Sequence, residues 1–174
     1  MSFLDYILFG IYPYIAIAIF LLGSLIRFDR EQYTWKSDSS QLLKRGQLRW
    51  GSNLFHIGII GLMFGHAVGL LTPHEVYHAM GLSTELKQLI AMVAGGIMGS
   101  ICLAGVLLLV HRRLTEPRIL ATSTRMDIFI LLWILATLCL GLFSIVISSQ
   151  HMDGSVMLLL ADWAQHIVTF RAGA

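Results

Sequence analysis

Charged residues along the chain enclose four long segments that contain no Asp, Glu, Lys or Arg. They run from Tyr6 to Ile26, Trp50 to His74, Gln88 to His111, and Ile128 to Met152. Each is at least 20 residues long, enough for a helix to cross ~30 Å of hydrocarbon. Backbone groups in lipid must pair within their own segment, so these runs predict helices. None shows the alternating ~10-residue pieces of a membrane β-barrel. The expected helices cover about 6–26, 50–72, 88–111 and 128–151, in one all-α transmembrane domain over 1–174. Pro13 is expected to kink the first. That span lacks a preceding Lys or Arg and a following small-residue cleavage site, so it reads as a retained helix rather than a signal peptide. Val156 to Ala161 is apolar, but Asp162 interrupts it. This tail predicts an interfacial amphipathic segment with Trp163 at headgroup level.

Composition agrees with this pattern. Hydrophobic residues make up 56% of the 174 and charged residues 13%, against ~25% charged in soluble domains. A net charge of +2 forms no basic stripe, which speaks against nucleic acid and for lipid as the surrounding partner. Cys102 and Cys139 sit singly in apolar runs, with no CxxC pair and no iron–sulfur spacing. The positive charges are asymmetric. Arg27, Arg30, Lys36, Lys44, Arg45 and Arg49 crowd the first loop, and Arg112, Arg113, Arg118 and Arg125 the third. The second loop holds only Lys87 and the tail only Arg171. By the positive-inside rule, loops 27–49 and 112–127 are cytoplasmic and the N-terminus lies outside.

Candidate chemistry lies in the second span. His56 and His66 fall inside its apolar run, where an ionisable side chain is costly and faces a bundle interior or a cavity. Ten residues separate them, ~15 Å along a helix, with azimuths ~80° apart. One imidazole therefore stands in each half of the bilayer. Two stacked haems, each taking one axial imidazole, would suit this arrangement; packing residues or a proton path would suit it as well. Gly61, Gly65 and Gly69 repeat at four-residue spacing and read mostly as a helix-packing face, with Gly65 also able to leave room for a flat ligand beside His66. Gly95, Gly96, Gly99 and Ser100 read as packing too. His74, His78, His111, His151 and His166 lie near the boundaries or in the tail and match neither depth.

Several stretches carry a resemblance. They include Ile11-Tyr12-Pro13-Tyr14-Ile15, Gln32-Tyr33-Thr34-Trp35, Ser52-Asn53-Leu54-Phe55-His56-Ile57-Gly58, Gly65-His66 and Leu71-Thr72-Pro73-His74. Lys87-Gln88, Ala121-Thr122-Ser123-Thr124, Gln150-His151-Met152-Asp153-Gly154-Ser155, Trp163-Ala164-Gln165 and Val168-Thr169-Phe170 continue it. Together they make the chain resemble the gamma subunit of respiratory nitrate reductase, a membrane b-type cytochrome. The resemblance implies five membrane helices and two b haems, with His56 on the inner haem, His66 on the outer one, and their partner ligands on a fifth helix beyond Ala174. The chain is accordingly expected to be a fragment of a longer reading frame.

The resemblance also implies a quinol site near the outer haem, bordered by Lys87, His66 and the Gly65 backbone. Without it, Lys87 reads as a snorkelling interface lysine. Electrons from quinol would reach a cytoplasmic iron–sulfur beta subunit and a molybdenum-cofactor alpha subunit that reduces nitrate to nitrite, in anaerobic respiration at a bacterial inner membrane. Two other readings stay open. One is a cytochrome b of a sulfite- or heterodisulfide-reductase-type complex, separable by neighbouring genes. The other is a haem-free helical membrane protein, separable by the absence of a b-type absorbance band.

Overall fold

The computed structural model describes residues 3–34, 43–150 and 152–171. Lys36, Trp35 and His151 lie outside the described residues. Four helices are long and apolar enough to cross a membrane: α1 (Phe3–Arg30), α2 (Arg45–Leu71), α4 (Thr84–Thr115) and α6 (Arg125–Ser148). Shorter helices link or follow them: α3 (His74–Ala79), α5 (Pro117–Thr122) and α7 (Ser155–Thr169). No strand occurs among the described residues. The helices α1 and α4 outrun the uncharged segments at both ends, and α2 at its start, because a helix continues through the headgroup region, where flanking charges are solvated. Ser83 caps α4 by accepting from the Leu86 N–H at 3.2 Å. A capping box starts α6: Thr124 Oγ1 accepts from the Asp127 N–H, and Asp127 accepts from the Thr124 N–H.

The tightest contact is between α2 and α4, and glycine makes it so. A Cβ on Gly58 would lie 2.5 Å from the Cys102 Cβ and backbone nitrogen. One on Gly105 would collide with the Phe55 backbone nitrogen, and one on Gly51 would sit 3.0 Å from Leu109. Cys102 and Val106 are fully buried at this crossing. Without Cβ atoms the two backbones approach to van der Waals contact, the usual source of association where lipid removes the hydrophobic drive. The assignment of the 61/65/69 repeat to packing is therefore corrected. Gly61 meets Met98, but added Cβ atoms on Gly65 and Gly69 would meet nothing within 4 Å. Likewise Gly99 packs against Leu142 and a Cβ added at Gly95 would lie 3.8 Å from Ile145, whereas one at Gly96 would meet nothing within 4 Å.

Polar clamps close the two ends. At one end, Arg112 is buried and donates to the Leu43 carbonyl from Nη2 at 2.8 Å and Nε at 3.2 Å. Lys44 pairs with Glu116 at 3.1 Å, and Arg113 pairs with Asp127 at 3.5 Å. The Gln47 amide reaches His111 and the Leu108 carbonyl. These contacts join the two basic loops at the same end of the bundle. At the other end, Gln88 donates to the Ser148 carbonyl and hydroxyl, tying α4 to α6.

The tail helix α7 packs on protein. Ala161 and Ile167 are buried, and Gln165 donates to the Leu70 and Thr72 carbonyls at 3.0 and 3.2 Å, two of the acceptors that the end of α2 leaves unpaired. Trp163 reaches the first span. Pro13 has no N–H for the carbonyl of residue 9 in a regular helix. The chain answers with a π-helical turn over Tyr6–Ile11, and the Trp163 indole donates to the Phe9 carbonyl at 2.9 Å. The expected disturbance at Pro13 thus becomes the anchor of α1 to the bundle, reinforced by Tyr14 stacking on Phe170.

Candidate functional site

His56 and His66 project from α2, and both are exposed. His56 Nδ1 lies 2.7 Å from the Ser52 carbonyl, and His66 Nδ1 lies 2.8 Å from the Leu62 carbonyl. A carbonyl only accepts, so in each ring Nδ1 carries the proton and Nε2 keeps its lone pair. A second partner supports His56, the Ser52 hydroxyl at 3.3 Å. An imidazole held by an Nδ1–H to a backbone carbonyl, with Nε2 outward, is the usual arrangement of a metal-ligating histidine. The two residues thus fit axial ligation of iron at two depths of one helix.

Gly65 lies beside His66 with open space above it. Along the same helix, a Cβ added at Gly58 would meet Cys102 and one at Gly61 would meet Met98, whereas one at Gly65 would meet nothing within 4 Å.

Lys87 occupies a different setting from that of a surface lysine. With Thr72, His74, Tyr77, Asp162 and Gln165 it lines a cleft of about 300 Å³ between the end of α2, the start of α4 and α7. Its Nζ is buried without a hydrogen-bond partner among the described residues and sits 3.9 Å above the Tyr77 ring centroid, a cation–π contact. Burial pushes the Tyr77 phenol above its ordinary value, and Glu75 adds to the rise while the neighbouring Thr84 opposes it. The ring therefore stays neutral and aromatic beneath the ammonium. The Tyr77 hydroxyl makes no hydrogen bond of good geometry among the described residues despite that neighbour. An ammonium without a hydrogen-bond partner among the described residues, beside a cleft of mixed polar and apolar lining, is suited to an oxygen acceptor.

Neither His66 nor Gly65 lines this cleft. Lys87 is instead gathered with Tyr77, Asp162 and Gln165, none of which the sequence had assigned to a site. Spacing offered one clue, since His74 and Tyr77 lie one turn apart before Lys87. Nothing in the sequence brought the tail residues Asp162 and Gln165 to the same place.

The geometry defines a class: a multi-pass helical membrane protein with two metal-ready imidazoles stacked on one span and a polar cleft at one end of the bundle. The chain belongs to the nitrate reductase gamma subunit family, whose sequence profile matches residues 5–174. It is 53% identical to the respiratory nitrate reductase 1 gamma chain of Escherichia coli (strain K12) over 174 residues, covering all of this chain and 77% of that one. It is 51% identical to the respiratory nitrate reductase 2 gamma chain of the same strain, covering 100% and 76%. Against the nitrate reductase gamma chain of Bacillus subtilis (strain 168), identity is 34% over 168 residues, covering 97% and 75%.

Proposed function

We propose that this chain is the dihaem cytochrome b subunit of a respiratory nitrate reductase, oxidising quinol near the outer face of a bacterial inner membrane. The observation that carries the reading is the matched pair of imidazoles. His56 and His66 each donate Nδ1–H to the carbonyl four residues back and present Nε2 outward. His56 would hold the inner haem and His66 the outer one. Haem b, when bound, supplies one-electron transfer. The protein's own contribution is to fix each imidazole's tautomer and direction, and to leave open space at Gly65 beside His66.

Lys87 would bind a quinol oxygen and favour its anionic form, since an ammonium without another acceptor stabilises negative charge beside it. The released protons would leave outward, because the basic loops 27–49 and 112–127 mark the cytoplasmic side. Iron–sulfur beta and molybdenum alpha subunits would dock there, and nitrate would be reduced to nitrite outside this chain.

The test uses membranes carrying the complete complex. Added quinol should reduce a b-type absorbance band. Lys87→Ala should slow that reduction at least tenfold while the fully reduced spectrum, developed with dithionite, keeps its amplitude. Absence of any b-type band, or quinol reduction unaltered in Lys87→Ala, would contradict the reading.

A further inference from the structure

The short helix α3 carries a second pair of histidines unrelated to the two on α2. His74 and His78 are one turn apart, both exposed, at the end of the bundle opposite the basic loops. Their Nε2 atoms lie 2.9 Å from each other, and their ring centroids are 4.1 Å apart. The buried Tyr77 ring fixes both, edge-on to His74 at 5.0 Å and tilted against His78 at 5.2 Å. Two Nε2 atoms are therefore held within chelating distance of each other before any ligand arrives, which lowers the ordering cost of chelation.

The separation selects the geometry. With metal–nitrogen bonds of ~2.05 Å, two nitrogens 2.9 Å apart subtend about 90° at the ion. That is the cis angle of a tetragonal or octahedral centre and narrower than the tetrahedral angle favoured by structural zinc. Among described residues no cluster of three or more His, Cys, Asp or Glu surrounds the pair, so water would complete the coordination. Local charge is mixed. Asp162 shares the neighbouring cleft with His74 and opposes the effect of Lys87 there, while Glu75 lies next to His74 on α3.

We propose that His74 and His78 form a two-imidazole binding site for a tetragonal divalent cation, Cu²⁺ or Ni²⁺. In the free protein one Nε2–H donates to the other Nε2. On binding, that proton moves to Nδ1 of the same ring, both Nε2 lone pairs go to the ion, and no electron is transferred.

Cu²⁺ titrated into the purified complete complex should give an electron paramagnetic resonance signal with two equatorial imidazole nitrogens. Calorimetry with Ni²⁺ should show one equivalent binding at micromolar concentration. His78→Gln and His74→Gln should each weaken binding at least tenfold and reduce the nitrogen count from two to one. Zn²⁺ should bind more weakly than Cu²⁺. A wild-type Cu²⁺ signal with one imidazole nitrogen or none, or an isotherm unchanged in His78→Gln, would overturn the proposal. The wild-type spectrum decides even where a variant fails to assemble.

Discussion

Individual glycines in this protein do opposite things on the same helix. Gly58 is where the α2 backbone touches the α4 backbone, so a side chain there has nowhere to go. Gly65, seven residues on, faces open space. The two positions make a paired prediction. Gly58→Val should prevent α2 and α4 from closing, seen as loss of folded protein from detergent extracts on size exclusion. Gly65→Ala should leave folding intact or raise helix stability by up to about 1 kcal/mol, while slowing quinol-driven reduction by filling the open space beside His66. Sequence spacing alone put Gly61, Gly65 and Gly69 mostly on one packing face, with Gly65 singled out only for its place beside His66. Which glycine packs depends on where α4 crosses, and that register is a property of two helices that one helix's pattern does not contain. His56 and His66 were legible because a polar ring in an apolar run is rare. Their tautomers were not, since those depend on the backbone carbonyl one turn back.

At the level of elements, the spans were legible and their fastenings were not. Charge-free runs of 21 to 25 residues leave helices as the only arrangement that satisfies the backbone in lipid. The helix α7 was foreseen as an interfacial amphipathic segment with Trp163 at headgroup level; what was not foreseen is that it fastens the bundle, through Gln165 on the end of α2 and Trp163 on α1. The proline at position 13 and the tryptophan at position 163 were each visible. Their meeting was not, because 150 residues of chain separate them. Trp163→Phe keeps the aromatic body and removes the donor. The Phe9 carbonyl then loses a hydrogen bond worth about 1 kcal/mol, and amide hydrogen exchange over residues 6–14 should quicken several-fold. Unchanged exchange would show that the π-helical turn holds itself.

For the whole molecule, the structure places both basic loops at one end and His74, Lys87 and α7 at the other. The positive-inside rule then gives the orientation its sign. In cells, a membrane-impermeant thiol reagent should label Met80→Cys from outside. Arg118→Cys should react only after the membrane is opened, in a background with Cys139→Ser. The reverse pattern would invert the orientation and move the proposed quinol cleft to the cytoplasmic face. The cleft itself shows where sequence reading runs out. Lys87 could be named, but its burial arises from the return of the chain at Asp162 and Gln165, a tertiary event without local signature.

The central claim is that His56 and His66 each hold one haem. A potentiometric titration of the b-type absorbance in membranes containing the complete complex tests it most directly. The wild type should titrate as two components. His56→Ala should lose one of them and His66→Ala the other, each leaving about half the amplitude. Two components surviving in both variants would contradict the account, because the irons would then be held without these imidazoles.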